Sequence, residues 1–362
     1  MRRAFAAVAL AAAAPCALAQ AVEVFGLIDV ALEHVDHVGA TGRDLNRIPG
    51  ATGSLPSRIG FRGYEELGDG LRAVFVLEQG FAPAMGNFTQ GGRAWGRQAL
   101  VGFTGRWGSL TVGRQYTMLY WSILDADILG TNIYGSGSLD AYIPNARADN
   151  AIVYKGTFGS WTFGTTFSFG RDSVNAGSPA GTNCAGESSD FRACHEWSAL
   201  AKYDSKAWGA ALAADQIRGG PGAFAGLTSS SLTDTRISLN GYANVSDDLR
   251  LAAGWIRRHN EASVSVPRSD LWYVGALYAA TPFLKLDGEA FRLDFKGSAN
   301  KATLVAARAT YSLSKRTALY ATAGHIVNGG TLAISVSGGA PGSNPLPGAA
   351  QSGVAAGLRH IF

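Results

Sequence analysis

Residues 57–81, SRIGFRGYEELGDGLRAVFVLEQGF, hold two alternating runs around the tight turn Leu67-Gly68-Asp69-Gly70. Odd positions carry Ile59, Phe61, Leu71, Ala73, Phe75 and Leu77; even positions carry Arg58, Arg62, Arg72 and Glu78. Successive strand side chains point to opposite faces, so this is a β-hairpin with one apolar and one charged face. A dry core cannot hold the charged face, because a buried arginine that lacks a partner is strongly destabilising. The charged face must meet water. Either it is the outside of a soluble protein, or it lines water inside a closed sheet whose apolar face meets lipid.

Runs of this kind recur along the chain and alternate between two types of connection. One type is a turn of a few residues, at 67–70, 105–108, 159–161, 205–208, 246–249, 281–283 and 314–317. The other is long and rich in Gly, Ser, Asn and Asp, at 36–53, 82–91, 115–146, 171–194, 218–232, 260–268, 297–299 and 329–349. Short turns on one side and long loops on the other describe an up-and-down meander of about sixteen strands. Trp107, Trp161 and Trp208 each sit at a short turn, as an aromatic belt at a membrane–water boundary would. Two segments alternate poorly: 269–280 is apolar on both faces, and AWGAALAADQ is alanine-rich.

The first residues read as an export signal. Arg2 and Arg3 precede a short alanine-rich run, and Ala17-Leu18-Ala19 is a cleavage pattern that puts the cut before Gln20. This divides the chain into a signal peptide, 1–19, and one barrel domain, 20–362. Without Arg2 and Arg3 the 31 Lys and Arg become 29, against 27 Asp and Glu. The basic residues are scattered, so no nucleic-acid surface is expected. The mature part contains no apolar run long enough for a spanning helix. A soluble chain of this length would split into domains, yet no linker separates its strand-rich halves. A single closed sheet requires none. The chain ends on Phe362, with Val354, Ala356, Leu358 and His360 on the same face. That suits a last strand that closes a barrel and presents an aromatic to the membrane, where every backbone group must be paired.

Cys184 and Cys194, the two mature cysteines, bracket CAGESSDFRAC. Export through an oxidising compartment makes a local disulfide the expectation. It would stiffen that loop. Signals for other chemistry are absent: there is no G-x-S-x-G, H-E-x-x-H or Cys-x-x-Cys. GDGLRA at 68–73 formally fits a dinucleotide fingerprint but enters a strand. His34, Asp36 and His37 supply too few ligands for a metal. No enzyme activity, cofactor or metal is expected.

Five collinear segments carry a family resemblance: SRIGFRGYEELGDGLRAVFVLEQGF, GRQALVGFTGRWGSLTVGRQY, RADNAIVYKGTFG, YSLSKRTALYATAG and GVAAGLRHIF. They resemble signature segments of the general trimeric porins of β-proteobacterial and neisserial type, from Val24 to Phe362. The resemblance implies a 16-stranded antiparallel transmembrane β-barrel in a Gram-negative outer membrane. It also implies a homotrimer in contact with outer-membrane lipid and lipopolysaccharide, with ions and small hydrophilic solutes diffusing through each monomer. The third external loop, 115–146, would fold into the lumen as a constriction. Arg58, Arg97 and Arg147 match the family's basic wall there, and Asp125, Asp127 and Asp140 are the loop acids; their facing is not readable from sequence. Arg62, Arg72, Arg114 and Glu78 are further lumen candidates. Opposed rings of charge at a waist set up a transverse field, and the arginines imply a mild anion preference. A substrate-specific channel, and behind it a barrel adhesin or hydrolase, are the rival readings. Val76 and Ile361 depart from the family pattern.

Overall fold

A computed structural model describes residues 21–362 apart from 51, 173–183, 185, 187–188, 224–225, 264 and 339–341. The expected signal peptide lies outside the described residues. Sixteen long strands follow one another: β1 Ala21–Val38, β2 Arg58–Gly68, β3 Leu71–Ala82, β4 Gln98–Gly105, β5 Gly108–Tyr116, β6 Arg147–Phe158, β7 Trp161–Ser168 and β8 Glu196–Asp204. They continue as β9 Trp208–Arg218, β10 Thr233–Asn244, β11 Leu249–Asn260, β12 Arg268–Ala279, β13 Leu284–Phe295, β14 Lys301–Ser312, β15 Thr317–Gly329 and β16 Ala350–Ile361. Each pairs antiparallel with its sequence neighbour. β16 pairs back onto β1, from Leu27 opposite Ile361 to Val35 opposite Gly353. The sheet is closed and has no free edge, as a span through lipid requires. Two short segments, Arg43–Arg47 and Asn87–Phe88, add to the long-loop rim by pairing with β1 and β3. Both lie in stretches the sequence reads as loop, 36–53 and 82–91.

Alternation decides which face each residue takes. On β1, Val24, Ile28, Val30 and Leu32 are exposed outward, whereas Leu27, Asp29, Ala31, Glu33 and Val35 are buried inward. In the opening hairpin Phe61 lies beside Val24, and Arg62 beside Glu23. The apolar side therefore faces out and the charged side in. The turn is made possible by Gly68, Asp69 and Gly70, which all adopt positive φ (+98°, +51° and +77°), a region that glycine enters without strain. Val74 and Val76 share the inward side, Val76 between Arg62 and Leu100. Outside, Trp161 packs on Phe163 and Tyr203, and Tyr203 on Trp208. Trp107 stacks on Tyr154. These rings form an aromatic band near the short turns.

The interior is not empty. Residues 117–146 fold inward as α1 Met118–Ile123, α2 Ser136–Leu139 and a 3-10 turn Ile143–Asn145. Ile123, Leu129, Ile133, Tyr134, Leu139 and Ile143 bury against Tyr273, Phe291, Leu304 and Ile326 of the wall. This explains why 269–280 is apolar on both faces: Leu271 and Tyr273 meet the loop, while Trp272 and Val274 face outward. It also explains the alanine-rich strand. Ala211 and Ala213 of β9 lie under Met118 of α1 with Leu200, Ala148 and Val153. Small wall residues leave room for the helix. Tyr134 sits on two wall glycines: a Cβ at Gly324 would stand 2.8 Å from its Cβ, and one at Gly353 would stand 2.7 Å from its hydroxyl. The Gly324→Val variant is therefore expected to push the segment off the wall. Limited chymotrypsin digestion of the folded barrel checks this: the variant should be cut within 117–146 under conditions in which the parent resists.

Candidate functional site

The inward segment and the wall enclose a space of about 320 Å³ whose lining includes Arg58, Arg97, Arg308, Arg359, Tyr120 and Asp127. The arginines come from four regions. Arg58 starts β2 and Arg97 precedes β4, while Arg308 and Arg359 occupy inward positions of β14 and β16. Glu78 on β3 organises the first pair. Its carboxylate accepts from Arg97 Nε at 2.9 Å and from Gln98 Nε2 at 2.8 Å, and it pairs with Arg58 Nε at 3.1 Å. Tyr116 continues the chain: its hydroxyl accepts from Arg97 and from Arg147, each at 2.7 Å. Arg147 also lies over the Tyr116 ring, 4.3 Å from its centroid, and Tyr120 stacks on that same ring with centroids 3.8 Å apart. Arg58, Arg97 and Arg147 are thus one network through Glu78 and Tyr116. Arg58 is its wet end, with 26% of its side chain exposed; Arg147 is only 2% exposed.

The second pair is held separately. Arg308 pairs with Asp287 at 2.7 Å and reaches the Leu129 carbonyl of the inward segment at 3.3 Å. Arg359 donates to Ser54 Oγ at 2.8 Å. Ser54 is fixed in turn by Asp29, which accepts from its backbone N–H, from its hydroxyl and from the Leu55 N–H, and which Tyr320 also contacts. Arg308 and Arg359 were missed in the sequence, although both fall on the inward parity of their strands. Parity shows a face, and gives no height along the barrel axis.

The three loop acids have different fates. Asp125 is paired with Lys202 of β8. Asp140 is buried against β10 and pairs with Arg236 at 2.9 Å. Burial works to raise its carboxyl, yet Arg236 and Arg258 hold it below the usual carboxylate range. Asp127 is buried within the segment, where it accepts from Gly130 N–H at 2.8 Å and Ser136 Oγ at 2.6 Å. Burial pushes its carboxyl up. Of the three, Asp127 alone joins the arginines in lining the enclosed space.

Among the other candidates, Arg62 pairs with Glu23 at 2.7 Å and Arg72 with Glu66 at 2.5 Å, both toward the short-turn mouth. Arg114 is placed elsewhere. It follows Leu110 and Val112 in the outward row of β5, just before a register shift. It donates to the Gly96 carbonyl and pairs with Asp149 at 2.5 Å. Asp149 and Asp172 also meet Arg93. Alternation within β5 already gives this placement, since Arg114 has the parity of the exposed Leu110 and Val112, and the extra residue at the register shift lies in the facing β6. Beside this rim network Cys184 and Cys194 are joined in a disulfide, their Cα atoms 5.1 Å apart. Farther round the wall, the Tyr142 hydroxyl of the inward segment lies within hydrogen-bond distance of both Asp215 and Glu196, each within 3.1 Å. Burial beside those two acids drives its hydroxyl well above the ordinary range.

A closed sixteen-strand sheet, lipid-facing outside and charged inside, with a loop folded into its lumen, defines an outer-membrane channel barrel. The chain belongs to the Gram-negative porin family, whose model matches residues 6–331. It is 26% identical over the full length of both chains to outer membrane porin protein 32 of Delftia acidovorans. An outer membrane porin protein of Bordetella pertussis is 38% identical over 124 residues, a match that spans 33% of this chain and 32% of that one. The anion-selective porin from Comamonas acidovorans shares the fold, with a TM-score of 0.77 at 22% identity over 95% of this chain and 100% of that one.

Proposed function

We propose that the chain is a general diffusion porin, passing ions and small hydrophilic solutes through a waist that mildly favours anions. The observation that carries this reading is the lining of the enclosed space, four arginines with one loop carboxyl, Asp127. Opposed charges along a water path create a field that orders dipolar solutes and biases ions by charge count. The solved neighbour's description as anion-selective agrees. On the same reading the barrel works as a homotrimer, contacts lipopolysaccharide, carries out no catalysis and is exported by a cleaved signal peptide. Residues 115–146 act as its constriction, and the family resemblance supports each of these points.

Liposome swelling tests general diffusion. Neutral sugars of increasing size should enter ever more slowly, with no one sugar favoured. A single fast solute among slow ones would indicate a substrate-specific channel, and no swelling at all would remove the channel reading. In planar bilayers conductance should appear in steps of three. Acidification gives a further check. Because burial raises the Asp127 carboxyl, it loses its charge early as pH falls. Anion preference should therefore strengthen on going from neutral to mildly acidic solution, and the Asp127→Asn variant should show that stronger preference already at neutral pH.

A further inference from the structure

On the outer wall at the long-loop end, charge is concentrated where lipid-facing positions are expected to be apolar. Four neighbouring strands, β11 to β14, alternate strictly there. Inward Leu271, Tyr273, Phe291, Leu293, Ala302 and Leu304 are buried. The intervening outward positions, with Lys296 just past β13, carry Arg257, Arg268, Arg292, Lys296 and Lys301, against Asp270 and Asp294. Five cations face two carboxylates. The outward positions at this height on neighbouring strands are uncharged residues such as Trp197, Thr235 and Val327.

The patch is built, not merely frayed rim. Asp270 is 1% exposed, yet it binds three groups: Arg257 Nε at 2.9 Å, Lys296 Nζ at 2.9 Å and Trp255 Nε1 at 3.0 Å. Arg257 and Lys296 keep 52% and 55% of their side chains exposed. Arg257 lies 5.0 Å over the Trp255 ring, which packs on Trp272. Arg292 is oriented by Asp294 at 3.0 Å and by Thr303 Oγ at 2.7 Å. Lys301 and Arg268 are exposed, and no described residue pairs with them. Below the cations the outer wall turns shallow and apolar, through Val305 to Ala307, Ala309, Ala321 and Ala323.

We infer that this face binds a phosphorylated glycolipid of the outer leaflet, with its phosphates on the cations and its acyl chains along the alanine wall. The inference rests on the outer-membrane reading and its lipopolysaccharide contact, and adds where that contact falls. Charge complementarity fixes the headgroup as anionic. Width argues for more than one phosphate: three strand spacings of about 4.8 Å put roughly 14 Å between β11 and β14. A second copy of this chain is a poor occupant, since the centre of a protein interface is depleted in charge.

The test is native mass spectrometry of the delipidated protein titrated with lipid A carrying two phosphates, lipid A carrying one, or phosphatidylglycerol. The two-phosphate form should bind about tenfold tighter than the others. The Arg268→Ala/Lys296→Ala/Lys301→Ala variant should bind it roughly 100-fold more weakly, at about fivefold per cation near a charged headgroup. Unchanged binding by that variant would overturn the inference, as would equal binding of the one-phosphate form or of phosphatidylglycerol, or displacement of lipid A by inorganic phosphate. Should the triple variant fail to fold, Lys301→Ala alone should still weaken binding about fivefold. Conductance is read in parallel: these residues lie outside the lumen, so a variant that loses lipid and conducts normally separates this site from the channel.

Discussion

The Gly26→Val variant is expected to yield no closed barrel. Gly26 is where the last residue docks on the first strand: its N–H donates to the Phe362 carbonyl at 3.1 Å, and its carbonyl accepts from the Phe362 N–H at 3.0 Å. A Cβ at this position would collide with the Arg58 carbonyl and stand 2.7 Å from the Phe362 ring. The ring could turn aside; a backbone carbonyl inside a paired sheet cannot. Overpacking of this kind costs about 1–3 kcal/mol where side chains can yield, and more where they cannot. Here the clash prises β1 from β2 beside the closing seam with β16, and an open seam in lipid leaves unpaired backbone groups. Heat-modifiable electrophoretic mobility reads the result directly: the parent should run as a folded band before boiling, the variant only as the unfolded one. The Gly288→Ala variant is the control and should fold, because the nearest heavy atom to a Cβ there is 3.9 Å away.

The second large effect is on ion choice. In the Arg58→Gln/Arg359→Gln variant two positive charges leave the lining, while Glu78 keeps Arg97 and Gln98 as partners. Arg359 gives up only a hydrogen bond to Ser54. The fold should therefore survive. A unit charge about 6 Å from an ion's path acts in water with roughly 0.7 kcal/mol, about threefold for an anion and the inverse for a cation. Each arginine should thus shift the anion-to-cation permeability ratio by about tenfold at low salt, and by less as salt screens it. The double variant should lose most of its anion preference, since only Arg97 and Arg308 then stand against Asp127 in the lining. Arg147→Gln should shift the ratio far less, because Arg147 is buried behind Tyr116.

Much of the fold was readable because alternation and turn spacing are local. Arg58 and Glu78 took the charged face of their hairpin from parity alone, and the short turns followed from runs such as Leu67-Gly68-Asp69-Gly70. The site was less readable. Arg58, Arg97 and Arg147 came by resemblance to a family. Their linkage through Glu78 and Tyr116 depends on register between strands, which no single segment carries. Arg308 and Arg359 required knowing that β14 and β16 bring them to the height of Arg58. Asp125, Asp127 and Asp140 sit within sixteen residues of one another, yet they meet a lysine, a buried turn and an arginine, because the inward segment coils and turns each one differently. Arg114 has the parity of the exposed Leu110 and Val112, so alternation within its own strand already set it off the lumen. The apolar inner wall of β12 and the alanines of β9 looked like weak alternation until the segment that covers them was in view.

A basic waist shows itself most directly in the sign of the ion selectivity. The reversal potential of single channels of the unmodified protein should be measured in planar bilayers across a KCl gradient at neutral pH. A basic waist predicts a potential displaced toward the chloride equilibrium potential, and much nearer zero in the Arg58→Gln/Arg359→Gln variant. A potential displaced toward the potassium equilibrium value in the unmodified protein would contradict it.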